Sequence, residues 1–371
     1  MTNKLIISNR SNRNQLQTII MRILTKARAF NPHLAEMFLN KIPYYYSRAH
    51  MADPEACQKI LDKLDLKSKY DGSKLDIVDV NPGYGLFSTM LNYELKPRNH
   101  ILIENKERCV TSLSSIINKL VEETGHNSNF TLYKKDSFIW ETYNDLIDKD
   151  KLIQPQIKSF DTPHDELLIL ANWTGNKEES VLAQWIKCCG HRNWLMKYGK
   201  VRMVIFAPSV SAMKFLGEPG FKKRRRTGLK RDLYTDSKLI GVVNSEKAPG
   251  LGYDARVLVR DQPVLLEPSS AHRDEDYSVI EISPGKYTAS QIENIEHFLL
   301  AIYLTNKKLV DILPTLAPGA MYMAKDLPEE MLQKSSYEFT CEDIIKLSKA
   351  YENWPFKPSV ADLYDFDITF S

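Results

Sequence analysis

A chain of 371 residues can bury a full α/β core and still carry a smaller second domain. With 43% hydrophobic and 26% charged residues the composition is globular, which excludes wholesale disorder. Lys and Arg number 50 against 47 Asp and Glu, so a net charge of +3 leaves any nucleic-acid partner to be argued from charge distribution.

The N-terminal segment has no acidic residue before Glu36, yet it holds Lys4, Arg10, Arg13, Arg22, Lys26 and Arg28. Leu16, Ile19, Ile20, Ile23, Leu24 and Ala27 fall on one helical face. Basic, acid-poor and amphipathic is the pattern of mitochondrial targeting, and it predicts a leader over residues 1–40 and a matrix location. The competing reading is a basic helix that docks on the body or on RNA. No apolar run approaches the roughly 20 residues of a bilayer span, so a soluble protein is expected. The five cysteines (Cys57, Cys109, Cys188, Cys189, Cys341) lack CxxC or zinc spacing and read as reduced thiols. His164, His191, His272 and the other histidines show no metal spacing.

Residues 41–284 alternate helix and strand. Asp53 caps a helix from Pro54 to Leu66. Strands are expected at Leu75–Val80, Ile101–Glu104, Phe130–Tyr133, Leu167–Leu170 and Lys200–Phe206, with helices near Leu86, at Arg108–Glu122 and at Ser180–Cys189. That spacing indicates βαβ units and a mainly parallel sheet. Further strands at Leu239–Val243, Arg256–Val259 and Ser278–Ile282 lack intervening helices, which predicts an antiparallel completion. Residues 285–358 read as a helical C-terminal domain. Ser290 to Glu293 forms a capping box, and Thr340 to Asp343 caps a helix carrying Ile344, Ile345 and Leu347. A tail over residues 359–371 mixes Asp362, Asp365 and Asp367 with Leu363, Tyr364, Phe366, Ile368 and Phe370.

In an open parallel sheet, ligands sit at the carboxyl ends of the strands. Those ends carry Asp79 with Gly83 and Gly85, then Glu104, then Asp136, then Asn172. A Gly turn admits close backbone approach, and a carboxylate ending the second strand can accept from ribose hydroxyls, so the set suits an adenosyl cofactor.

A second cluster is Lys222-Lys223-Arg224-Arg225-Arg226, followed by Lys230 and Arg231. Gly217, Pro219, Gly220 and Gly228 around it predict an exposed loop whose cations each neutralise a phosphate. Trp354 and Phe356, set among prolines, read as an anchor for the last helix rather than as a docking surface.

From Tyr44 to Pro358 the chain resembles the rRNA adenine N6-dimethyltransferases and their mitochondrial transcription-factor-B relatives. Asp79-Val-Asn-Pro-Gly-Tyr-Gly85 is similar to the family's cofactor turn, Glu104 to its ribose acid and Asp136-Ser137 to its adenine contact. Met51-Ala-Asp53 resembles its cofactor-covering segment. The stretches Ser209 to Gly220, Leu265 to Pro268 and Tyr277 to Pro284 resemble later family elements. Asp62-Lys-Leu-Asp-Leu66, Ala171-Asn-Trp-Thr-Gly175, Asn193-Trp194, Gly199-Lys-Val201 and Trp354-Pro-Phe-Lys-Pro358 resemble the fungal transcription-factor branch. The resemblance implies a Rossmann-like S-adenosylmethionine-dependent methyltransferase fold with a helical C-terminal domain.

The dimethylases end their fourth strand on an Asn-Leu-Pro-Tyr type motif, whose Asn orients the adenine amine and whose ring stacks on the flipped base. Here the motif is Asn172-Trp173-Thr174-Gly175, and Asn81 replaces the first Gly of the cofactor turn. The resemblance with these departures implies a non-enzyme that requires no cofactor. It implies a monomeric mitochondrial transcription initiation factor, partnering the single-subunit mitochondrial RNA polymerase on promoter DNA that is single-stranded in the open complex. The tail would reach that melted promoter with Tyr364 and Phe366 on unpaired bases, although its acids fit a polymerase contact equally. The alternatives are an active mitochondrial small-subunit rRNA dimethylase and an RNA-binding ribosome-assembly factor.

Overall fold

The computed structural model describes residues 17–39, 48–175, 178–243, 252–305 and 307–358. Its centre is an eight-stranded sheet in the order β3-β2-β1-β4-β5-β8-β6-β7. The strands are β1 (Asp76–Val80), β2 (Asn99–Ile103), β3 (Phe130–Tyr133), β4 (Pro163–Asn172), β5 (Lys200–Ala207), β6 (Thr235–Val243), β7 (Val264–Leu266) and β8 (Ser278–Pro284). The first five pair in parallel, and β8 runs antiparallel between β5 and β6. The chain therefore has the mixed methyltransferase-like sheet expected of it.

The interior strands are apolar on both faces because both faces are covered. Leu167, Ile169 and Ala171 point into one core cluster, and Leu168 and Leu170 into another. Helices α1 (Pro54–Leu64), α2 (Leu86–Leu95) and α3 (Glu107–Thr124) cover the N-terminal half of the sheet. Helix α4 (Glu179–His191) lies on the other face, followed by α5 (Ser209–Leu216) and α6 (Arg226–Tyr234). The C-terminal helices α8 (Glu296–Thr305), α9 (Leu309–Leu316) and α10 (Cys341–Glu352) share the core of Leu167, Ile169 and Ala171, through Phe298, Ile312, Leu347 and others. Their helical character is as expected, but their core is continuous with that of the sheet.

Four expectations are corrected. The segment around Arg256–Val259 is helix α7 (Ala255–Asp261), because Asp254 accepts from the Arg256 amide and caps it. The strand lies later, at β7, and pairs parallel to β6. The first capping box uses Thr288 and Gln291, which have the same spacing as Ser290 and Glu293, and it opens a 3₁₀ turn ahead of α8. The helix drawn from Pro54 to Leu66 stops at Leu64, because Asp65 turns left-handed and starts a short helix at Leu66.

The fourth correction concerns the leader. Ala27, Ala29, Phe30, Leu34 and Ala35 are buried in the core. Arg28 pairs with Asp62 and Glu94, Lys26 pairs with Glu55, and the Ala29 amide donates to Gln58. Residues 27–35 thus belong to the folded body, and helix 17–26 lays Ile20, Ile23 and Leu24 against it. Residues 1–16 lie outside the described residues. Among the described residues no helix is long and apolar enough to cross a membrane.

Candidate functional site

The carboxyl ends of β1 and β4 meet at a pocket whose lining includes Met51, Asp79, Gly85 and Asn172. Asp79 ends on His100, whose Nε2 lies 3.2 Å from Asp79 Oδ2. Asn92 Nδ2 faces His100 Nδ1 at 3.3 Å, so the ring proton sits on Nε2 and donates to Asp79. All three residues are buried. Asn81 adopts φ 57° and takes Ser137 Oγ–H on its side-chain oxygen at 2.8 Å, tying the first turn to the loop after β3. Asp136, which is not among the residues lining that pocket, accepts from the Phe138 amide at 2.9 Å.

Glu104 is fully buried, with Oε1 accepting from the amides of Asn105 and Lys106. Its Oε2 has no hydrogen-bond partner. Burial pushes this carboxyl up, opposed by those amides, by the Arg48 charge and by the nearby Gly83 amide. An unpaired buried acceptor at the ribose position is what a cofactor hydroxyl would satisfy.

The rest of the pocket is filled from within. Gly83, at φ +62°, faces His50, and a Cβ there would fall 2.4 Å from His50 Nδ1. The glycine therefore admits the chain's own imidazole, and Tyr84 meets the same ring edge-on at 4.9 Å. Burial, with Arg48 and His272 adding repulsion, lowers His50 to about 4, so the ring is neutral. What remains between Met51, Tyr84, Phe87 and Asn172 is a cavity of about 30 Å³. By that measure it is room for about one water.

The segment that closes the pocket is strapped at several points. Arg48 forms a buried pair with Glu178 at 2.7 Å, and Glu178 also accepts from the Gly175 amide. Met51 bridges Ala271, the His272 amide donates to the His50 carbonyl, and the Ala52 amide donates to Ser270. Asn172 Nδ2 donates to the Ala49 carbonyl at 2.8 Å. Thr174 Oγ accepts from the Ala49 amide at 2.8 Å and donates to Asn172 Oδ1 at 2.7 Å. Asn172, the residue that would orient a target amine, has its amide and carbonyl both engaged inside the chain.

Trp173 supplies no stacking surface. It is fully buried, edge-on to Phe138 at 5.4 Å and to Trp185 at 5.3 Å, within a cluster that continues to Trp194 and Tyr143. Exposed apolar side chains lie in the segment after β3 instead: Phe138, Ile139 and Trp140 are 47%, 49% and 37% exposed, two of them aromatic. No motif in the sequence marks these residues. An apolar run directly after a strand-end polar pair was the available signal.

The basic cluster is not one exposed loop. Lys222, Lys223 and Arg225 are exposed, and Arg226 is half-buried at the start of α6. Arg224 is fully buried: Nη1 donates to the Phe339 carbonyl at 2.6 Å and Nη2 pairs with Asp232. Arg231 is buried too, with Nε donating to the Phe215 carbonyl at 2.9 Å, and Lys230 pairs with Glu296. The exposed-loop expectation fails for these three because Gly228 lets α6 pack tightly on α5, where a Cβ would meet the Lys214 carbonyl at 2.9 Å. Tyr364 and Phe366 lie outside the described residues. Of the aromatic pair near the C-terminus, Trp354 is the buried anchor expected, whereas Phe356 is 85% exposed. Among the described residues no group of His, Cys, Asp and Glu is placed to hold a metal.

Residues 39–309 match the family model for ribosomal RNA adenine dimethylase. Mitochondrial transcription factor 1 of Saccharomyces cerevisiae is 28% identical over 334 residues, covering 88% of this chain and 94% of the yeast protein. Mitochondrial transcription factor 1 of Lachancea kluyveri is 26% identical, covering 86% of this chain and 93% of that one. Among solved structures, a dimethyladenosine transferase from Plasmodium falciparum superposes with a TM-score of 0.50 at 16% identity, over 80% of this chain and 95% of that chain. That likeness concerns the fold.

Proposed function

The chain belongs to the ribosomal RNA adenine dimethylase family, and from that premise we propose that this member has exchanged methyl transfer for transcription initiation in the mitochondrial matrix. It partners the single-subunit mitochondrial RNA polymerase and holds promoter DNA in the melted state. The relatives named mitochondrial transcription factor 1 support the reading. The observation that carries it is the Asn172–Ala49–Thr174 clamp, which engages inside the chain the Asn that resembles the family's target-orienting residue.

On this reading the chain requires no S-adenosylmethionine and performs no chemical step. Phe138 and Trp140 offer faces to unpaired bases, since stacking on an aromatic ring is worth roughly 1–3 kcal/mol per base and tolerates any sequence. Lys222, Lys223 and Arg225 provide exposed positive charge for the backbone phosphates. The test is a reconstituted initiation assay. Omitting the chain abolishes run-off product from a duplex promoter, and equal product without it would sink the proposal.

One observation favours the rival reading, an active small-subunit rRNA dimethylase: the unpaired Oε2 of Glu104. Calorimetry with S-adenosylmethionine and primer extension across the terminal rRNA loop decide between them. The rival requires tight binding and two modified adenines.

A further inference from the structure

A large cleft lies at the opposite end of the strands from the adenine-dimethylase pocket, where β4 and β5 begin and β6 and β8 pair. It is a cleft of about 840 Å³ lined by seven basic side chains and four carboxylates. The carboxylates are shared. Glu281 serves both Arg202 and Lys69, and Asp232 serves both Arg231 and the buried Arg224. Asp236 is taken by Lys200, and Asp261 by Arg260. Lys63 and Lys238 are exposed at the rim with no carboxylate partner among the described residues.

The lining thus carries an excess of positive charge, exposed at the rim and buried at Arg231. Arg231 lines the wall with a side chain only 6% exposed, and its Nη2 finds no hydrogen-bond partner. The Lys69 ammonium is held below its usual range, first by burial and then by Arg202 and Lys238, with Glu281 and Asp65 opposing. Burying like charges around a shared carboxylate is costly unless a further anion compensates them. A phosphate oxyanion offers that charge and several acceptors to ammonium and guanidinium groups together.

We propose that this cleft is a phosphate-binding site, with Lys63, Lys69 and Lys238 as direct contacts and Arg231 supplying charge from behind them. Its ligand is the phosphate of a duplex nucleic-acid backbone or of a free polyphosphate. The site is independent of the initiation reading, because it lies on another face and involves none of Phe138, Trp140 and Lys222.

The experiment uses the full chain and two probes, a short labelled DNA duplex followed by anisotropy and inorganic pyrophosphate followed by calorimetry. Lys63→Gln combined with Lys238→Gln raises the Kd about tenfold at low salt, equivalent to about 1.4 kcal/mol. For the duplex the slope of log K against log salt falls by about two, one counterion for each lost contact. An effect on the duplex alone assigns the site to nucleic acid, and an effect on pyrophosphate assigns it to a free polyphosphate. Lys238→Gln alone repeats the measurement should the pair lower the thermal midpoint. Unchanged affinity and slope for both probes, or binding of neither by the unaltered chain, overturns the proposal.

Discussion

Asn172 donates to the Ala49 carbonyl at 2.8 Å, across 123 residues of sequence. Thr174 completes the ring by accepting from the Ala49 amide and donating to Asn172. Thr174 stands where the family motif has Pro, and its hydroxyl holds the Asn172 side chain within the chain.

Replacing Thr174 with Val keeps its shape and removes both hydroxyl bonds. The Ala49 amide and Asn172 Oδ1 then lose partners in a half-buried site. We expect a destabilisation of about 1–3 kcal/mol, read as a lower urea midpoint with unchanged slope. A midpoint equal to that of the unaltered chain would mean the clamp holds nothing.

Two neighbours in the basic run should behave in opposite ways. Arg224→Met leaves the Phe339 and Tyr337 carbonyls and part of Asp232 without their buried donor, and costs about 3 kcal/mol or more. Lys222→Gln, at an exposed position, stays within about 0.5 kcal/mol. Nucleic-acid affinity divides the other way, with Lys222→Gln weakening it in the folded protein. Equal stabilities for the two variants would contradict the burial of Arg224.

Trp140→Ala removes one exposed ring of the segment after β3 while the Trp185–Trp194 contact remains. Single-stranded DNA affinity should fall by about 1–3 kcal/mol, whereas duplex affinity should hardly change. A loss shared equally by both substrates would point to charge or folding instead of stacking.

His50 links stability to pH. Its folded value, about 4, lies below its ordinary 6.5, so the unfolded chain binds the extra proton. The stabilisation is complete above pH 6.5 and is lost as pH falls towards 4, about 3 kcal/mol in all. Glu275, raised to about 7 mainly by burial, acts in the reverse sense, losing stabilisation as pH rises from 4.5 to 7. The difference between the unaltered chain and His50→Gln isolates the histidine. That difference should shrink from pH 7 to pH 4, and a flat difference would refute the buried neutral ring.

Much of the sheet was legible because its signal is local. Strands such as Phe130–Tyr133 and Lys200–Ala207 are short apolar runs between helices, and Asp79, Glu104 and Asn172 lie at or just past the carboxyl ends of theirs. Helix α7 was misread because Val257, Leu258 and Val259 favour a strand, and the cap at Asp254 decides against them. Arg224 and Arg231 are indistinguishable in sequence from exposed cations, since their partners lie up to 115 residues away. The docking of residues 27–35 and the filling of the pocket by His50 are long-range packing events with no periodic trace. The loss of the motif's Pro and Tyr was visible in sequence, but the use made of Thr174 was not.

The central claim is a methyltransferase scaffold that opens promoters instead of methylating adenines. Run-off transcription by the mitochondrial polymerase on matched duplex and pre-melted promoters, with and without the chain, tests it most directly. The account predicts that the duplex template depends on the chain, that the pre-melted template depends on it far less, and that adding S-adenosylmethionine changes neither. Equal product from the duplex template with the chain left out would contradict it.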